Sequence, residues 1–460
     1  MMIWGTSLVP TQRSWPRLGS WGDAQAATVG SVGMARSSLA VVGPTIAVAV
    51  CALLAPSGGA VSHANTAATR LTVGSSIGLD RATAALRASG GTIVLRPRLY
   101  QELVIHWRGS KLLRIVGMPG TRVERVVFDR ASRVSFGNVV VGPIHGEAMV
   151  DLRDSRHIVL HDLVVTARGS RYRSFVRVPY ARDVTIRDSD FSHCGDRSPK
   201  FTDCVLLWRW SHDIVIANNR FHDCRGCDFV HGRFGSNLTI RRNRFDRSLP
   251  CGMNAYRCGH QDLVQLFAGN GLLVERNHFG VYREGGAQLY LTDDVDHATV
   301  VNNVFVGTDP RVPGYRARMA IIVGSAASKR LPHYAKVLNN TILTGARRRD
   351  GYAGSIRMSS KYGSVLRRKR PIIANNVIAL LAKRAHICSA ARLFAHNIVI
   401  HGTSCSASDR VESAGLDGGV RPRRASPVVD AALRRYAPRV DLTGRIRRGA
   451  PDIGALEYHR

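Results

Sequence analysis

Lysine is scarce in this chain. Only 7 of its 65 basic residues are lysine, which leaves 58 arginines, and the acidic residues number 33. The formal net charge is +32. Part of such a skew is coding bias, but the charge still acts: a surface this basic attracts polyanions and holds them less well as salt rises. Nucleic acid, acidic polysaccharide, teichoic-acid-like polymers and anionic membrane are the polyanions it admits. Aromatic residues are also few, at 7%, yet hydrophobic residues make up 45%, which excludes disorder as a description of the whole.

Long apolar runs are missing as well. The one candidate, residues 39–54, is short and contains Gly43 and Pro44, so no stable membrane span is expected after processing. Met34-Ala-Arg36 before it and Ser62-His63-Ala64 after it complete the order of a signal peptide: charged region, apolar region, small-residue cleavage site. Cys51 lies in the run, but Val50 before it is too large for a good lipoprotein signal. The expected layout is an upstream segment at 1–33 with a wrongly assigned start, a signal peptide at 34–64, and one secreted domain at 65–460. Its last part, 406–460, reads as an irregular closing segment.

Beyond residue 64 the chain carries eight cysteines: Cys194, Cys204, Cys224, Cys227, Cys251, Cys258, Cys388 and Cys405. An even number in an exported protein favours disulfides, although spacing cannot fix the pairing. Cys251 with Cys258, and Cys388 with Cys405, read as loop staples. Cys224-Arg-Gly-Cys227 is a CxxC, but Cys251 and Cys258 have the wrong spacing for a second half, so zinc is not expected.

A degenerate motif, x-Ile/Val-x-x-Asn-x-Phe/Val/Ile, recurs along most of the chain. Examples are VIANNRF at 215–221, LVERNHF at 273–279 and VVNNVF at 300–305. Its polar position falls at Asn138, Asp162, Ser189, Asn219, Asn243, Asn277, Asn303, Asn340, Asn376 and Asn397, with separations of 21 to 37 residues. Period-2 alternation reads as strand, and a period of this size reads as one coil of a solenoid. The Asn has a physical role at a tight turn between sheets. It tolerates left-handed backbone geometry, and stacked carboxamides can form a hydrogen-bonded ladder. Residues 77–100 read as a short amphipathic helix ended by Gly90-Gly91 and followed by a strand, the cap that a solenoid's open end needs. The expected fold is an all-β, right-handed parallel β-helix of about ten coils with a helical N-terminal cap.

The helix-then-strand start, the N-N-x-F coils and the closing Pro451-Asp452-Ile453-Gly454-Ala455-Leu456-Glu457-Tyr458 resemble the pectin-lyase-like right-handed β-helix superfamily. The likeness is greatest to bacterial secreted proteins with right-handed β-helix repeats. It covers roughly residues 70–460. It implies a polysaccharide as substrate or ligand and is specific for fold rather than reaction, because the superfamily holds lyases, hydrolases, epimerases, tailspikes and adhesins. The sharper signatures are absent: no Asp-Asp with Gly-His-Gly, as in polygalacturonases, and no Asp-Pro-His, as in mannuronan epimerases.

The longest polar insertions lie near residues 190–295. Three strands there share a frame: Asp203-Cys-Val-Leu-Leu-Trp208, Asp228-Phe-Val-His-Gly-Arg233 and Asp262-Leu-Val-Gln-Leu-Phe267. Alternation places Leu206, His231 and Gln265 in one outward row and Trp208, Arg233 and Phe267 in the next, with Gln288 and Tyr290 continuing the two. His231 and His260 are the candidate bases, Arg233 and Arg283 the groups that would neutralise a uronate, and Asp228 and Asp262 the candidates for proton transfer or Ca²⁺ ligation. Gln265, Gln288, Tyr290, Trp208 and Phe267 are the expected substrate contacts. Each has a plainer reading: the Asp residues as turn caps, the glutamines as an amide ladder, the rings as packing under loops. The expected protein is a monomeric, secreted, carbohydrate-active one acting on an acidic polysaccharide as lyase or hydrolase. The alternative is a non-catalytic surface protein that binds polyanions or glycans. Nucleic acid rests on charge alone and is not expected as a partner.

Overall fold

The computed structural model describes residues 69–143, 146–167, 172–195, 202–208, 210–249, 262–280, 286–306, 319–325, 328, 330–344, 354–381 and 387–459. The signal peptide, Cys51, Cys251, Cys258, His260 and Arg283 lie outside these residues.

Nearly all strands pair in parallel, each with its counterpart one coil on. One sheet runs from Leu99–Ile105 through Tyr172–Pro179, Thr202–Trp208, Cys227–Gly232, Val264–Glu275 and Ala287–Asp296 to Ile356–Met358. A second carries the Ile/Val stretch of the motif, for example Arg182–Arg187, His212–Ala217 and Ser236–Arg241. A third carries its Phe, in Asp190–Ser192, Arg220–His222 and Arg244–Phe245. The inward residues make a continuous apolar column. Phe191, Phe221, Phe245, Phe279 and Phe305 stack with centroids 4.8, 5.1, 4.9 and 4.4 Å apart, each contact adding about 0.5–1.5 kcal/mol beyond burial.

The expected carboxamide ladder runs from Asn219 through Asn243, Asn277, Asn303, Asn340 and Asn376 to Asn397. Each side-chain oxygen accepts the backbone N–H of the Asn one coil earlier, as from Asn243 to Asn277 and from Asn277 to Asn303, both at 2.9 Å. Each side-chain amide donates to a backbone carbonyl of the coil before, as Asn277 does to Ile240 at 2.8 Å. Asp409 accepts from Asn397 at 2.9 Å at one end, and Ser189 donates to Asn219 at 3.0 Å at the other.

Two features of the motif differ from expectation. The left-handed turn is made by the residue before the ladder, such as Asn218 at φ 56°, Asn302 at 55° and Asn375 at 60°. Asn138 and Asp162 occupy that turn position, at φ 59° and 52°, and are exposed rather than part of the ladder. The register Gly137 to His161 to Arg187 to Ala217 puts them level with Asp188 and Asn218. Two neighbouring polar residues share the corner, one bending the chain and one satisfying it, and spacing alone does not separate them.

The N-terminal cap is the helix Ser76–Ala85, whose Ser75 side chain accepts the Gly78 N–H at 3.0 Å, with Leu79 and Ala82 turned to the core. The closing segment lies back along the corner that carries the ladder rather than ending with the last coil. Asn302 donates to Val440 at 2.7 Å, Asn339 to Asp452 at 2.9 Å and Arg276 to Leu442 at 2.9 Å. A buried Arg447–Glu457 pair at 2.8 Å braces it. Cys388 and Cys405 form a disulfide across 17 residues.

Replacing Asn277 by Ala strands two buried backbone groups at the ladder's centre and is expected to cost about 3 kcal/mol. Replacing Asn138 by Gly keeps the left-handed turn and is expected to change stability by less than about 0.5 kcal/mol. Urea unfolding of the two variants checks both values.

Candidate active site

Side chains in corresponding positions on successive coils lie about 4.8 Å apart, because that is the spacing of paired strands. The described register sets Leu206 beside His231, His231 beside Gln265, and Gln265 beside Tyr290. Arg177 precedes this row and Ile322 and Arg357 extend it. The expected outward row is therefore present, but its fourth member is Tyr290. Gln288 is buried, and its amide donates to the carbonyls of Gly280 at 2.8 Å and Val306 at 3.1 Å. It ties a coil to its turn and does not face outward. The row of Phe267 passes to Thr292, not to an aromatic ring.

The next row differs too. Gly232 has φ 127°, and a Cβ there would meet the Leu207 carbonyl oxygen at 1.9 Å. The chain turns sharply at this glycine and carries Arg233 onto the ring of Phe267, 5.7 Å from its centroid. His231 meets the same ring edge-on at 5.0 Å. Trp208 stands apart, 48% exposed.

The three aspartates lie beneath this surface rather than on it. Asp203 and Asp228 are buried and directly opposed across the strand pair, and Asp262 has no exposed surface. Asp228 accepts the Asp262 backbone N–H at 2.7 Å, and Asp262 in turn accepts the Ala287 N–H. One oxygen of each thus closes the start of the next strand, as the turn-cap reading anticipates. His231 bridges the group. Its Nδ1 is 3.1 Å from Asp203 and its Nε2 is 3.9 Å from Asp228. The Nδ1 contact is an ion pair out of line for a hydrogen bond. His231 is the member that reaches solvent, with 20% of its side chain exposed.

Electrostatics follow from that burial. Burial by itself would discharge His231, but the carboxylates of Asp203, Asp228 and Asp262 outweigh it and raise its pKa to about 9. Burial also raises the Asp203 carboxyl, with His231 opposing the shift. Asp228 is pushed well above the usual carboxylate range, first by burial, with His231 pulling against it and Asp262 and Asp203 adding to it. His231 therefore keeps its proton at neutral pH, and burial favours the protonated form of Asp228. His231 is a cation there, so the expected role of base does not suit it; it can donate a proton or neutralise an anion. Asp228 is the carboxyl placed to carry a proton.

The Ca²⁺ expectation for Asp228 and Asp262 fits poorly. One oxygen of each is committed to a backbone N–H. Among the described residues, the carboxylate and imidazole atoms that converge here, within 4.8 Å, come from Asp203, Asp228 and His231. Two carboxylates and an imidazole fall short of the about six to eight oxygens that Ca²⁺ takes.

Sequence reasoning missed one neighbour. Arg177 binds Asp151 on the preceding coil through Nη2 at 2.6 Å and Nε at 3.1 Å. Arg153 adds a contact to Asp151 at 2.8 Å. The two partners are 26 residues apart, and only the coil register brings them together. A cavity of about 630 Å³ lies beside the N-terminal cap, lined by Leu79, Arg98 and Tyr100 among others, and contains none of these groups.

His231's folded value of about 9 lies above its unfolded value of 6.5, so the stabilisation from the charged group is complete below pH 6.5 and is lost as pH rises through about 9. NMR titration of His231 is expected to give this value in the intact chain and a lower one in Asp203→Asn, where its nearest carboxylate is gone.

No curated protein matches the chain significantly. Among solved structures, a PL6 family polysaccharide lyase from Pseudopedobacter saltans is similar at 13% identity, over 80% of this chain and 100% of that one, with TM-score 0.46. An alginate lyase from Paenibacillus sp. is similar at 12% identity, over 58% and 93%, with TM-score 0.40. A surface adhesin of Streptococcus pneumoniae is similar at 12% identity, over 66% and 87%, with TM-score 0.39. Residues 126–307 match the family model for a right handed beta helix region. That match spans less than half of the chain, and together with the coiled parallel sheets it establishes a right-handed parallel β-helix fold.

Proposed function

We propose that this chain is an exported, carbohydrate-active protein that binds an acidic polysaccharide across the row Arg177, His231, Gln265 and Tyr290 and cleaves it as a hydrolase or lyase. The observation that carries this reading is the buried acid group of Asp203 and Asp228 joined to a cationic His231 beside Arg233 and Phe267. Arg233 supplies positive charge for a uronate carboxylate, Phe267 and Tyr290 supply ring surface for a sugar face, and the cationic His231 supplies a proton for a leaving oxygen, with the buried Asp228 behind it to restore one.

The non-catalytic alternative has its own support. The carboxylates are buried, the one group of the four that reaches solvent is cationic, and the chain carries a net charge of +32. That combination binds a polyanion without breaking it.

Polygalacturonate, alginate, hyaluronan and chondroitin are incubated with the mature chain, and absorbance of unsaturated ends and new reducing ends is followed. Cleavage of at least one polymer is expected, with kcat lowered about 100-fold or more in Asp228→Asn. Salt-sensitive binding without product from any of the four would sink the catalytic reading and leave the binding one.

A further inference from the structure

Four cysteines meet at one corner of the coil. Cys194, Cys204, Cys224 and Cys227 are fully or almost fully buried, and their four sulfurs lie within 4.8 Å of one another. They were disulfide candidates in the sequence, but none of the four is disulfide-bonded. The Sγ atoms of Cys204 and Cys224 are 3.6 Å apart, too far for a bond. Cys251 and Cys258 have the wrong spacing for a second zinc pair after the CxxC; Cys194 and Cys204, from the coil before, supply that pair.

Coil stacking explains the meeting. Strands Asp190–Ser192 and Arg220–His222 pair in register, Ser192 beside His222. The pairing continues past them, since the Arg225 N–H donates to Cys194 at 2.7 Å, and so Cys194 lies level with Cys224. On the far side of the same turn, Thr202 pairs with Cys227 at the start of two adjacent strands, and Cys204 follows two residues on. Each of two successive coils contributes one cysteine before the turn and one after it.

We propose that Cys194, Cys204, Cys224 and Cys227 bind one Zn²⁺ as a closed four-thiolate structural site. Zn–S bonds of about 2.3 Å in a tetrahedron set the sulfurs about 3.8 Å apart, close to the 3.6 Å between Cys204 and Cys224. The Cys194 backbone N–H donates to the Cys224 sulfur at 3.2 Å, an interaction that favours a thiolate. Cys224 and Cys227 have the two-residue spacing of a zinc knuckle. A lone buried cysteine is commonly a small apolar residue, but four sulfurs converging on one point are not explained by packing. Binding releases the four thiol protons to solvent, leaving the ion held only by sulfur. The site is separate from the reactive groups, yet it holds the residues next to them: Cys204 follows Asp203 and Cys227 precedes Asp228.

The test uses the full chain, exported or purified with zinc present, then desalted. Elemental analysis is expected to find one zinc per chain. The four thiols should resist alkylation until a chelator is added under denaturing conditions, and Cys388–Cys405 should stay bonded. Replacement of zinc by Co²⁺ should give the intense visible bands of a tetrahedral thiolate complex, a readout that needs no variant. Cys227→Ser should abolish stoichiometric zinc, whereas Asp228→Asn should keep it, which separates this site from the acid group. Three results would each overturn the proposal: peptide mapping that finds the four cysteines as two disulfides, four thiols open to alkylation with substoichiometric zinc, or a different metal in stoichiometric amount.

Discussion

The hydrogen bonds of the carboxamide ladder are what allow the coil to close at its sharpest corner. A turn between two sheets leaves backbone N–H groups pointing inward, where no water can meet them, and each unmatched group costs about 1–3 kcal/mol. The buried asparagines meet that demand twice over. Their oxygens accept the N–H of the coil before, and their amides donate to a carbonyl there. Every coil is thereby fixed to its neighbour in one register, and the phenylalanine stack beside the ladder follows the same register.

That register is what gives the outer face any chemistry. Loops of different length leave the corner, so residues 25 to 34 apart in sequence arrive side by side, as Asp228 does with Asp262 and Asp262 with Ala287. Stacking carboxylates at strand spacing, away from water, raises the free energy of ionising all of them. The group responds by holding a proton on His231 and favouring one on Asp228. An imidazole that alternation alone would make an ordinary surface base becomes a cation held from below. The same corner carries the four sulfurs one residue away from two of the carboxyls, so the local scaffold and the reactive groups share one turn.

Much of the fold was legible. Alternation and the recurrent polar position gave the strands, the coils and the ladder from Asn219 to Asn397, because a buried amide at every turn is a chemical requirement that leaves a mark in sequence. The cap helix was legible through its amphipathic pattern and Gly90-Gly91. The site was legible only as a region. Val205, Val230 and Val264 align as alternation requires, but Gln288 does not continue their neighbours' row. Pairing is regular from Val264 to Phe267, opposite Leu289 to Thr292, so Tyr290 falls beside Gln265; that phase is set by the length of the insertion before Ala287, which leaves no periodic signal.

The sequence by itself determined the architecture, since strand period, turn chemistry and an apolar core are local properties repeated coil after coil. Tertiary structure alone decided which side chains meet. Arg177 finds Asp151, His231 sits between two aspartates, and Cys194 and Cys204 join Cys224 and Cys227. The reason is physical. In a solenoid, contact is set by stacking one coil on the next, and the number of residues in each loop is free to vary without disturbing that stack.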